Sequence, residues 1–333
     1  MLYVSTRNNT DSFTAHWALH GERTSEGGMY VPFQLPNLDS QQIAKLTELS
    51  FSETVAQILN LFFSVKLTGW DVEFSIGRYP VKLITMNHRV VVAEIWHNPG
   101  FSIDYALNHL YSRLCGVEHC KGKPSAWASI AIYIAVLFGI YVELNRSGIS
   151  VSDIVIPSED SSASVAALYA RSMGLPLGSI IVGCKDSDPV WDLVQKGTLN
   201  TNSFQSAFVE QLIYHKLGSK QVQLCIQSCA QRGTYQFTQD QLKELNKGLH
   251  AIVAGDNRIN AVITSAYRSN ASFFSPRTAL SFGCLQDYRS HTGESRSTML
   301  LADSSPVYYI NHISAATGIP VSELKRQMNL TKE

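Results

Sequence analysis

The stretch Asp153-Ile154-Val155-Ile156-Pro157, followed by Ser161 to Met173 and then Ser179 to Cys184, decides the fold. Its first and last segments are short apolar runs of the kind that strands buried on both faces carry. The middle segment is rich in alanine and leucine and long enough for a helix. Strand, helix and strand within so short a stretch form a βαβ unit, and such a unit implies a parallel sheet. The same alternation recurs outward. Val81 to Met86 and Val90 to Trp96 read as strands, Thr298 to Ala302 as another. Asp39 to Leu49, Ser52 to Val65, residues 103 to 114, Ser206 to His215 and Arg277 to Arg289 read as helices. Thr238, with Gln241 three residues on, opens a helix expected to reach His250. Val307 to Thr317 is expected as the last helix, ending at Gly318. The expected fold class is therefore α/β, with a mainly parallel sheet flanked by helices.

Composition agrees. The chain has 333 residues, 45% of them hydrophobic and 16% charged, with 27 basic and 27 acidic side chains and no net charge. That is an ordinary globular balance, and it lacks the basic footprint of a nucleic-acid binder. Six cysteines are too few for a disulfide scaffold. The first seven residues lack a signal-peptide pattern, and a cytoplasmic location is expected. Ser125 to Val142 carries no charge over 18 positions, the lower limit of a membrane span. Its serines and tyrosine hydroxyls favour instead a helix buried inside a large core. No membrane association is expected.

Several blocks, taken in order, resemble threonine synthase, a pyridoxal-phosphate enzyme of fold type II related to the tryptophan synthase β subunit. Tyr3-Val4-Ser5-Thr6-Arg7 and Glu26-Gly27-Gly28-Met29-Tyr30-Val31-Pro32 are similar to the family's N-terminal signature. Glu94-Ile95-Trp96-His97-Asn98-Pro99 resembles its E-L-F-H-G-P block, and Trp127-Ala128 the start of its long W-A-R helix. Val155 to Pro176 is similar to the strand, phosphate loop and helix that follow. Ser275-Pro276-Arg277-Thr278-Ala279 and Ala302 to Tyr309 resemble the C-terminal D-P-H-T-A and T-A-H-P-x-K-F blocks. The resemblance implies residues 1–80 as an N-terminal segment, packed as one unit with a large domain over residues 81–333.

The departures bear on chemistry. The family's lysine, which forms the aldimine, follows H-G-P in an F-K-D segment. Here Gly100-Phe101-Ser102-Ile103-Asp104 takes that place, and no lysine lies between Lys82 and Lys121. The family's glycine-rich phosphate loop becomes Ser158-Glu159-Asp160-Ser161-Ser162, where two carboxylates repel a phosphate and both glycines are lost. Asp160 or Ser161 can equally cap the next helix. The family's threonine beside the cofactor ring becomes Asp303, the following histidine Ser305 and the lysine Tyr308. The histidine of D-P-H-T-A is Arg277, and the W-A-R arginine is Ser129. Between Leu114 and Ser125, where the family inserts its small domain, about a dozen residues remain.

The resemblance therefore implies a threonine-synthase-like pseudoenzyme without pyridoxal phosphate, serving as a binding, regulatory or scaffold protein. It is expected to pair with a protein partner or a second copy through the face that the small domain would cover. Two alternatives stay open. One is a repurposed enzyme whose emptied cleft gathers His97, Asp104, Glu159, Asp160 and Asp303; in the family, His97 occupies a scaffold position. The other is a threonine synthase homologue, converting O-phosphohomoserine to threonine through another lysine. Cys115, His119 and Cys120, with Cys225 and Cys229, lack the spacing of a structural zinc site, and no metal is expected.

Overall fold

The computed structural model describes residues 1–333 except 64, 78–80, 87–88, 97–102, 117–123, 160, 271 and 329–333, and leaves aside the side chains of 103–107 and 270. Three short strands open the chain: β1 (Leu2–Ser5), β2 (Phe13–Thr14) and β3 (Tyr30–Pro32), paired antiparallel in the order β2-β1-β3. The main sheet draws on β4 (Lys82–Met86), β5 (Val90–Glu94), β6 (Asp153–Pro157) and β7 (Ile180–Cys184). A small antiparallel ribbon of β8 (Thr198–Asn200) and β9 (Thr234–Gln236) intervenes before β10 (Leu249–Val253) and β11 (Thr298–Ala302) complete it. The order is β10-β7-β6-β11-β5-β4, parallel throughout except for the antiparallel edge strand β4.

Strand periodicity divides the interior into two cores, because successive side chains point to opposite faces. Val91, Ala93, Ile154, Ile156, Ile180, Val182, Met299 and Leu301 face one side. Val90, Val92, Val155, Ile181, Leu300 and Ala302 face the other. The first face is covered by helices α1 (Phe51–Phe62), α2 (Ala126–Arg146) and α3 (Ser161–Ser172). Helix α2 is the apolar segment long enough to cross a membrane, but 83% of its apolar window is buried within the protein. It is a core helix. Its Gly139 lies against Phe51 of α1, where a β-carbon would sit 2.8 Å from the ring, so only glycine permits this close approach. Trp127 fills the other end, edge-on to Tyr3, Phe62 and Tyr169.

Helix α4 (Ala207–Leu217) extends the same core, burying Phe208, Val209, Leu212 and Ile213. The second face is covered by α5 (Asp256–Asn270), α6 (Pro276–Thr292) and α7 (Ile310–Thr317).

Two boundaries differ from the sequence reading. The Thr238–Gln241 capping box forms, but its helix ends at Leu245, and Leu249–Val253 joins the sheet as edge strand β10. Gly248, at φ +68°, turns the chain between them. A further helix, Val321–Gln327, follows Gly318 and buries Leu324.

The N-terminal segment is fastened by a buried carboxylate. Glu210 of α4 is fully buried (0% exposed) and accepts hydrogen bonds from Thr6 Oγ1 (2.5 Å), Arg7 Nε (3.1 Å) and Arg7 Nη2 (2.9 Å). Arg23 Nη1 lies 3.5 Å away. Tyr3 Oη donates to Phe62 O (2.8 Å), and Ser125 Oγ donates to Ala18 O (2.6 Å). Removing one partner of such a pair strands a desolvated charge, at a cost of about 3–5 kcal/mol. Arg7→Ala, which leaves Glu210 buried without its guanidinium, should lose stability of that order in urea unfolding and expose the first 30 residues to limited proteolysis. Equal stability and unchanged cleavage would show that the clamp holds nothing.

Candidate functional site

In an open parallel sheet, ligand sites form beyond the carboxyl ends of the strands, where the winding direction reverses. Here the chain winds from β6 to β7 to β10 and then returns to insert β11 between β6 and β5. The loops after β6, β7 and β11 therefore meet at one mouth, joined by the first turn of α6. Each contributes a charge: Glu159 after β6, Lys185 after β7, Asp303 after β11 and Arg277 from α6.

Ser275 caps α6, accepting from Thr278 N–H (3.2 Å), with Pro276 at its first position. This cap fixes the turn that carries Arg277. Arg277 Nη2 donates to Asp303 Oδ2 at 2.6 Å, and Asp303 is only 2% exposed. The Glu159 carboxylate lies between two cations, 2.7 Å from Lys185 Nζ and 3.9 Å from Arg277 Nε. The hydrogen bond to Glu159 raises the Lys185 ammonium above the ordinary lysine range, against a smaller desolvation effect. Ser158 donates to Asp188, whose other oxygen caps the following turn at Val190 N–H (2.8 Å). Ser305 caps the next turn at Val307 N–H (3.3 Å).

Among the described residues Arg277 and Lys185 answer Asp303 and Glu159, while Asp188, bonded to Ser158, and Asp256, whose charge acts on Lys185, add further carboxylates at this edge. Nearby thiols are inert: burial raises Cys184, and pushes Cys284 up to about 12. Thiols so raised carry no thiolate at neutral pH.

Of the residues singled out in the sequence, Glu159 and Asp303 meet, but through Arg277 rather than as bare carboxylates. Ser161 and Ser162 begin α3 beside them. Asp160 and His97 lie outside the described residues, as does the side chain of Asp104, which falls in the helix Ile103–Cys115. Lys185 escaped notice, and Arg277 stood out only as the replacement of a family histidine, not as a partner of the carboxylates. The signal available was charge balance, since two acidic residues entering one mouth require cations to accompany them. Among the described residues no three histidine, cysteine or carboxylate side chains gather as a metal site. Cys225 and Cys229 are buried on the helix Ser219–Arg232, Cys115 lies 4.0 Å from His20 Nδ1, and His119 and Cys120 are outside the described residues.

Arg277→Ala should destabilise the protein by about 3–5 kcal/mol, since Asp303 stays buried without its guanidinium. In a double-mutant cycle with Asp303→Asn, the coupling should be about 1–3 kcal/mol. Additive effects in urea unfolding would mean that the pair is not an energetic unit.

The comparisons with known proteins agree with this geometry in fold. The family profile described as threonine synthase N terminus matches residues 2–77. The threonine synthase of Schizosaccharomyces pombe is 28% identical over 118 residues, which are 32% of this chain and 23% of that protein. Threonine synthase-like 2 of Mus musculus is 28% identical over 111 residues, 31% of this chain and 23% of that protein. The stretch matched to these curated relatives thus spans under a quarter of their length. Among solved structures, the PLP-bound threonine synthase of Brucella melitensis superposes with a TM-score of 0.79 at 16% identity, covering 100% of this chain and 95% of that one. Yeast threonine synthase gives 0.77 at 12% identity, covering 100% and 94%. The chain is threonine-synthase-like, with the α/β fold of the type II pyridoxal-phosphate enzymes.

Proposed function

We propose that this threonine-synthase-like protein has given up the pyridoxal-phosphate chemistry of its relatives and acts in the cytoplasm as a binding or regulatory pseudoenzyme. The observation that carries this reading is the closed charge lattice at the sheet mouth. A phosphate needs backbone N–H groups, room for close approach and a positive field. The residues here do not fit one. Glu159 stands at the first turn after β6, and the two cations that might draw a dianion are already paired with Glu159 and Asp303. The absence of any lysine between Lys82 and Lys121 removes the amine from its family position.

Among the described residues Lys82, 3.6 Å from Glu94 at the end of β5, and Lys185 stand at this edge. A nucleophilic amine must be neutral, and Lys82 is ion-paired, as is Lys185. The ion pair of Lys185 with Glu159 holds that amine charged. The same lattice counts against a repurposed enzyme built on Glu159 and Asp303, because neither carboxylate stands without a cation beside it.

The decisive experiment mixes the purified protein with pyridoxal 5′-phosphate, records the absorbance and traps any imine with borohydride. No Schiff-base band and no stoichiometric pyridoxyl-lysine are expected. A single stoichiometric adduct, abolished by Lys185→Gln or mapped to another lysine, would overturn the reading.

Association with a second copy is the role we favour. The family resemblance places a small domain at the short connector after Leu114, and a chain without that domain would present the face it covers. At the end of the helix Ile103–Cys115, Trp70 (65% exposed) and Phe74 (59% exposed) stack at 5.5 Å, with the Arg113 guanidinium 4.6 Å from the Phe74 ring. Exposed apolar patches of this kind mark interaction surfaces. Sedimentation velocity across a concentration series should show reversible dimers, weakened at least tenfold by Trp70→Ser with Phe74→Ser. A strict monomer at high concentration would contradict self-association.

A further inference from the structure

A second recess lies at the opposite, amino-terminal edge of the sheet, far from the paired charges of the mouth. It has a volume of about 780 Å³, within the range of pockets that enclose organic ligands. Its floor is apolar, formed by Val90, Phe282 and Leu285; its rim carries Arg89, Arg258 and Arg289. These elements converge because Arg89 immediately precedes β5, and its carbonyl accepts from Thr298 N–H at the start of β11 (3.0 Å). Helix α6 then crosses behind them.

The three guanidinium groups are not equivalent. Arg258 is neutralised by Asp287, 2.7 Å away. The rim carboxylate Glu294 is engaged by Arg296 at 3.3 Å. Arg289 Nη2 is positioned by neutral oxygens, donating to Arg296 O (2.6 Å) and Thr298 Oγ1 (3.1 Å). Burial disfavours the Arg289 charge most, the Asp153 carboxylate favours it, and the Arg89 charge disfavours it by a smaller amount. Arg89 reaches Ser295 O at only 3.5 Å, and no carboxylate among the described residues lies within ion-pair distance of it. Its backbone sits in the left-handed region at φ +58°, uncommon outside glycine, asparagine and aspartate and costly for arginine. Two guanidinium groups that repel one another therefore overlook an apolar floor with room above it. An anion placed between them relieves that repulsion and gains charge-assisted, bidentate hydrogen bonds. The floor would meanwhile cover an apolar body.

We propose that this recess is a binding site for an organic anion, a carboxylate or phosphate attached to an apolar body of about two fused rings. The site is independent of the mouth, so it stands whether or not the protein binds pyridoxal phosphate. Isothermal titration with 1-naphthyl phosphate and with 1-naphthylacetate tests it, and the tighter of the two identifies the anionic group. At least one should bind saturably, while inorganic phosphate and the neutral 1-naphthalenemethanol should not. Arg89→Asn removes the charge yet tolerates the left-handed backbone, and should weaken binding at least tenfold. Ser295→Glu places a carboxylate on the exposed rim and should do the same without touching the core. Both variants should keep the parent melting temperature. No saturable binding of either naphthyl anion, equal binding of the alcohol, or affinities unchanged in both variants would overturn the proposal.

Discussion

A parallel sheet cannot leave a face in water, because its crossover connections place helices on both sides. That constraint organises this molecule. The five-residue strands β5, β6, β7 and β11 are apolar on both faces, so two complete helical layers must exist before the strands are stable. The long helix α2 is the consequence on one side. It is uncharged from Ala126 to Val142 because sheet, α1 and α3 leave little of its surface to solvent, and the same pattern would suit a bilayer if the rest of the chain did not enclose it. The N-terminal segment completes this layer: Tyr3 bonds both Phe62 and Trp127, and Glu210 draws Thr6 and Arg7 onto α4.

The same sheet determines where chemistry can be placed. Strand ends that run in one direction deliver their following loops to one edge, and the insertion of β11 between β6 and β5 brings residues from distant parts of the chain together there. Such a mouth normally faces a ligand. In this protein its side chains face one another. A carboxylate buried as deeply as Asp303 survives only with a cation at hydrogen-bond distance, so Asp303 and Arg277 are understandable only as a pair. Glu159 and Lys185 repeat the arrangement nearer to solvent, where screening makes each contact weaker.

What could be read in the sequence follows from how local the signal is. The β6–helix–β7 unit was legible because each segment is periodic and bounded by turn residues. The Thr238 capping box was legible because its partners are three residues apart. The end of that helix was not, since Leu249 to Val253 is a short apolar run that serves either a helix or a strand, and only its pairing with β7 decides. Helix Ser219–Arg232 is polar on most of its surface and buries Val222, Cys225 and Cys229 along a narrow stripe, too weak a pattern to stand out. At the mouth, the carboxylates were visible as departures from a family pattern. Their pairing with Arg277 and Lys185 was not, because it joins three separate loops and the first turn of α6.

The two edges of the sheet consequently differ in kind. At the carboxyl edge, opposite charges are matched within hydrogen-bond distance, and a ligand would have to displace an existing partner before gaining anything. At the amino edge, Arg89 and Arg289 share a recess over an apolar floor, with Arg289 held by neutral oxygens and Arg258 by Asp287. Desolvation costs are therefore already met internally at the first edge and open to a ligand at the second. A carboxylate at the mouth that brings a cation with it keeps its charge compensated, and the fold does not have to bear an unpaired ion there. Binding energy, where this protein offers it, is to be sought on its uncovered aromatic face and at the arginine-rimmed recess.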